Sequence, residues 1–130
     1  MTPKEKEVRL TPACLRAIGA GRKAQMRSVV KLDRGEVPAG TSCPLGAPGD
    51  LMRADDEFLL RITAVRMQRL QDISDPDLVR EGGMWRETAP SGTTESDREG
   101  FARWWDEVHA GSEAKWIENP WVWVVEFERR

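Results

Sequence analysis

"EFLLRITAVRMQRL", residues 57–70, decides how the fold is read. In its first half Phe58, Leu60, Ile62 and Ala64 share one parity while Arg61 and Thr63 take the other, the period-two alternation of a half-buried strand. From Val65 and Met67 onward the apolar residues change parity. A strand cannot keep its apolar side on one face through such a switch without an extra residue. A bulge or bend is therefore expected, the device that curls a sheet toward a barrel. Residues 51–53 supply the first arm of a hairpin whose turn is Ala54-Asp55-Asp56.

Working outward, "WVWVVEF" at 121–127 is apolar on both parities and predicts a strand in the middle of the sheet. Its Trp121 and Trp123 are expected beneath a helix. On the other side of the hairpin, Thr11-Pro12 reads as N-cap and first helical residue, with Cys14, Leu15 and Ile18 facing inward and Gly19 and Gly21 closing the helix. Residues 25–32 follow as a strand, and 1–9 as a polar, frayed segment or short edge strand ending at 8–10. Residues 33–50, rich in Gly and Pro, form a long loop. Ser74 opens a short helix that stops at Gly82-Gly83, and 84–95 reads as loop. The pattern Ser96-x-x-Glu99 is a capping box, with Phe101, Trp104, Trp105 and Val108 at helical spacing behind it. The class expected is α+β: a small mixed or antiparallel β-barrel flanked by short helices, with residues 1–130 as one domain.

Composition sets bounds. With 39% apolar residues and six tryptophans in 130 residues, the chain can bury a core and is not disordered throughout. No apolar run approaches the roughly 20 residues that cross a bilayer, and the N-terminus carries no secretory pattern. A cytoplasmic protein is expected. Cys14 and Cys43 lack metal-ligand spacing and read as free thiols, so neither metal nor cofactor is expected. The net charge of −2 conceals an asymmetry: residues 1–34 hold nine Lys/Arg against three Asp/Glu, and the remainder eleven against nineteen. A basic segment on an acidic body suits an anionic ligand.

That segment is "AGRKAQMRSVVK", residues 20–31. Strand alternation puts Lys23, Gln25 and Arg27 along one wall beside Arg22, an arrangement suited to phosphate oxygens or a base edge. Glu81 ends the short helix against an unfavourable dipole, which suggests a pairing with Lys23 or a general-base role. Trp104 and Trp105 read as core. Trp85 and Trp116, in less regular segments, are the candidates for stacking on a base. His109 stands alone near a helix C-terminus and reads as a surface or cap residue.

The segments "LTPACLRAIGAGRKAQMRSVVK", "CPLGAPGD", "RITAVRMQRLQDISDPDLVREGG" and "FARWWDEVH…NPWVWVVEFERR" resemble, in order, small phage- and prophage-encoded proteins of the ASCH family, in the PUA-like superfamily. Such proteins often carry the label "morphogenetic protein". The resemblance implies a partly open β-barrel with a cleft for RNA or a modified nucleoside or nucleotide. Gly21, Arg22 and Lys23 match the cleft-facing segment after the first helix, and Glu81 matches the glutamate closing the short helix. In one branch, the bacterial acetylcytidine amidohydrolases, a lysine, a threonine three residues later and a glutamate carry the chemistry. Here those places hold Lys23, Met26 and Glu81, and Ala24 replaces a further threonine. A methionine has no hydroxyl to activate, so that mechanism cannot operate. The resemblance thus implies binding of RNA or a modified nucleotide through Arg22, Lys23, Gln25, Arg27, Trp85 and Trp116. The alternatives are a hydrolase using Lys23 and Glu81, and a phage interaction protein.

Overall fold

A computed structural model describes residues 4–32, 37, 40–92 and 94–130. Five strands, β1 (Glu5–Val8), β2 (Gln25–Val29), β3 (Leu51–Ala54), β4 (Phe58–Arg69) and β5 (Trp121–Arg129), form one sheet in the order β1-β3-β4-β5-β2. Only the β1–β3 pairing is parallel. Three helices, α1 (Pro12–Gly19), α2 (Asp75–Glu81) and α3 (Asp97–Val108), complete the α+β architecture.

The parity switch in β4 is a bulge. Ile62 lies opposite Phe127 and Ala64 opposite Glu126, so Thr63 is the extra residue. Beyond it Val65 faces Val125 and Met67 faces Trp123. The apolar side chains before and after Thr63 therefore enter the same core, which also holds Met26, Met52, Leu60 and Phe127. The hairpin turn closes with the Glu57 N–H donating to the Ala54 carbonyl at 2.9 Å. Asp55 and Asp56 both have positive φ, 48° and 61°, as a type I′ turn requires.

β5 lies inside the sheet between β4 and β2, with β4 as the middle strand. Its two apolar parities serve two cores. Trp123, Val125 and Phe127 join the first, while Val122 and Val124 join a second core with Cys14, Leu78, Phe101 and Trp105 of the helices. Trp121 and Trp123 thus sit with the first core, whose one buried helical residue is Ile18 of α1, and not beneath α2 or α3. Among the described residues β2 ends at Val29, short of the expected residue 32. The segment expected as loop at 84–95 contains a 3-10 turn, Met84–Glu87. Residues 33–36 and 38–39 of the expected long loop, like 1–3 of the N-terminal segment, lie outside the described residues; 40–50 carry turns without strand or helix.

Each helix start follows its caps. Thr11, Ser74 and Ser96 each accept from a backbone N–H three residues on, and Ser96 and Glu99 form the full capping box. α1 ends differently from the expectation in detail: Ala20 is a right-handed C-cap and only Gly21, φ 77°, is left-handed. The N–H groups of Gly21 and Arg22 donate to the Ile18 and Ala17 carbonyls at 3.0 and 2.9 Å, a Schellman end. β1 and β2 are the two edges of the sheet, and α1 connects them. The sheet curls without closing, and a seam is left between those edges.

Candidate functional site

The seam is built from the end of α1. After the Schellman turn the chain runs against the C-terminus of α2, where the Ala24 N–H donates to the Arg80 carbonyl at 2.8 Å. Gly82, φ 104°, makes this approach possible, since a Cβ there would lie 2.9 Å from the Lys23 Cβ. Lys23 Nζ then donates to the Glu81 carbonyl at 3.1 Å and to Glu81 Oε1 at 2.8 Å. A cation at the carbonyl end of α2 is favoured by the helix dipole and offsets the cost of ending that helix with Glu81.

Around this pair lies a buried charge network. Arg27 reaches Glu81 Oε2 at 2.7 Å, and the Lys23, Arg27 and Glu81 side chains are each no more than 2% exposed. Arg27 also donates to Gln25 Oε1 at 2.5 Å and approaches Asp77 at 3.4 Å. Asp77 collects further donors: Gln25 Nε2 at 3.3 Å, Arg66 at 2.8 Å and Arg80 at 3.1 Å. Burial acts to raise the Asp77 pKa and is the largest single influence. The Gln25 hydrogen bond, the charges of Arg66 and Arg27 and the Arg80 hydrogen bond together outweigh it, holding the carboxyl below its ordinary value. One donor is left over: Arg27 Nε–H is buried without an acceptor among the described residues.

Above the network opens a cavity of about 380 Å³. Lys23, Arg27 and Glu81 form its charged end. Met26 and Val29 of β2, with Cys14 of α1, make it apolar along the sides. The wall from α3 is Trp104, Trp105, Val108 and His109, and Arg9, just beyond β1, stands exposed at the opening. His109 caps α3 and is pinned. Its backbone N–H and its Nδ1 both contact the Trp105 carbonyl, at 2.9 and 3.0 Å, and its ring stacks on the Trp105 indole at 3.9 Å and 22°. The indole is fixed in turn by donating to the Ala114 carbonyl at 2.7 Å.

Of the residues singled out in the sequence, Lys23, Arg27 and Glu81 come together, and Met26 shares their cavity. Gln25 does not reach it: wholly buried, it braces Arg27 and Asp77 and cannot touch a nucleic acid. Arg22 lies outside, its Nε donating to the Gly82 carbonyl at 3.2 Å. Trp85 is not a stacking platform. At 3% exposure it packs edge-on against Phe101 and its indole N–H donates to Asp97. Trp116 is half-buried, edge-on to the same Phe101 with Arg98 over its ring, away from the cavity. Lys23 and Arg27 spend their charge on Glu81 and Asp77, so the wall expected to be basic is internally neutralised. Trp105 is buried in the second core and His109 is the C-cap of α3, as expected; what the sequence reading missed is that Arg9, Trp104 and His109 line this cavity. One signal existed: His109 follows Trp105 by four, the spacing that places two rings on one helix face.

The fold is shared with solved structures. An ASCH domain from Lactobacillus crispatus is similar with a TM-score of 0.56 at 17% identity, over 97% of this chain and 79% of that one. A protein of the DUF984 family from Enterococcus faecalis gives a TM-score of 0.59 at 14% identity, over 99% and 81%. A Pyrococcus furiosus protein gives 0.50 at 21% identity, over 96% of each chain. No family model matches the sequence, and no curated protein matches it significantly. The likeness is one of fold: a small, open, barrel-like sheet such as the ASCH domain has. Among the described residues no helix is long and apolar enough to cross a membrane.

Proposed function

We propose that this chain is an ASCH-type binding module that takes one base of an RNA, or of a modified nucleoside or nucleotide, into the seam cavity. The observation that carries the reading is the cavity itself, about 380 Å³ in the seam, with a charged end from β2 and α2 and an aromatic wall from α3. The lining supports a flat heterocycle. The volume falls within the range of small-molecule sites, and Trp104, half-buried in the α3 wall, offers an apolar surface on which a base can stack. Arg9 at the opening is the cation available to a phosphate, in place of Lys23 and Arg27.

The test is titration of the four nucleoside 5′-monophosphates and a short single-stranded RNA, followed by tryptophan fluorescence. Trp104→Ala is expected to weaken binding by about tenfold or more. The salt slope is expected to be shallow, about 0.7 in the logarithm for a single phosphate contact on a single strand; a slope several times steeper would show that the backbone, not the base, is bound. Absence of any binding at low salt would leave the interaction or morphogenesis role of a phage protein. The hydrolase reading rests on Lys23 and Glu81 lining one cavity, but Met26 supplies no nucleophile. Acylated nucleosides are expected to survive incubation, and turnover abolished by Lys23→Ala would reverse that conclusion.

A further inference from the structure

The cavity holds a second polar group that the charged network does not use. The Trp105 carbonyl can only accept, so the contact at 3.0 Å requires His109 Nδ1 to carry the proton. In the neutral ring Nε2 is then an acceptor, and it has no hydrogen-bond partner among the described residues. Two features hold this orientation: the same carbonyl also receives the His109 backbone N–H at 2.9 Å, and the ring lies flat on Trp105. The arrangement is a pre-set acceptor on a residue of the cavity's α3 wall.

We infer that His109 is a specificity residue of this site: its Nε2 accepts a hydrogen bond from an amino or imino N–H on the ligand. The inference rests on the base-binding reading above and narrows it. The ligand class is a neutral planar heterocycle with an N–H donor on its edge, and a base alkylated at that donor is rejected.

His109 is the only histidine, so its ring nitrogens give unambiguous nitrogen-15 signals in the intact protein. The free protein is expected to show the Nδ1–H tautomer; an Nε2–H tautomer would overturn the inference whatever binds. On titration with the four nucleoside 5′-monophosphates, the Nε2 signal of any complex is expected to shift as the nitrogen accepts a bond. His109→Ala is expected to bind roughly five- to tenfold more weakly, with His109→Gln, which retains an acceptor, nearer to wild type. If a monophosphate binds yet Nε2 does not move and His109→Ala binds as wild type, this inference fails and the base pocket stands. If nothing binds, both fall.

Discussion

Glu81 holds two cations, and that decides what its loss would do. Lys23 and Arg27 each approach one of its oxygens, and all three side chains are buried. Removing one member of such a set leaves charge stranded out of water, at a cost of about 3–5 kcal/mol. Glu81→Gln strands Lys23 and leaves Arg27 only its longer ion pair with Asp77, whereas Lys23→Met leaves Glu81 paired with Arg27. Urea unfolding should therefore rank Glu81→Gln as the more damaging, and equal losses would contradict the shared geometry. The meeting of Lys23 with Glu81 was legible in the sequence because Glu81 directly precedes one glycine that ends a helix, and Lys23 follows another by two residues. The fate of Gln25 was not. Alternation places it on a wall with Lys23 and Arg27, but nothing local says that α2 will cover that wall.

At the level of elements, the helix starts were readable because each cap is a local transaction between a side-chain oxygen and an N–H three residues on. The 3-10 turn at Met84–Glu87 was not readable, since four residues show no period. Its burial depends on a distant glycine. Gly100, on the inner face of α3, lies so near Trp85 that a Cβ would fall within 3.0 Å of two of its ring atoms. An alanine at that position gains about 1 kcal/mol of helix propensity. Against this, the Trp85 indole, which donates to Asp97 and packs on Phe101, would have to move. Gly100→Ala is expected to destabilise by roughly 1–3 kcal/mol and lower the melting temperature; a rise would mean that α3 shifts freely. A helix-forming gain thus yields to a packing requirement that no window of sequence displays.

Across the whole molecule, charge asymmetry along the chain proved a poor guide to charge in space. The N-terminal third is basic, but Asp77 and Glu81 arrive from α2 to meet Lys23 and Arg27, and Arg66 of β4 joins them. Asp77 therefore ties α2 to two strands. With its folded pKa depressed, the stability it contributes is complete above the ordinary aspartate value, about 3.9, and is lost as pH falls through the lower folded value. Asp77→Asn should be less stable than wild type at neutral pH but lose less on acidification below about pH 4. Parallel acid unfolding curves would remove Asp77 from the linkage.

The curled sheet itself was legible from the parity change at Thr63, while the position of its opening was not, because that depends on where β1 finds a partner. The opening has a mechanical meaning. The cavity is bounded by the residues that leave one edge strand and by the flank of the other. Whatever fills it acts as a clasp, joining two margins that no backbone ladder joins, so for this fold recognition and stiffening are a single event.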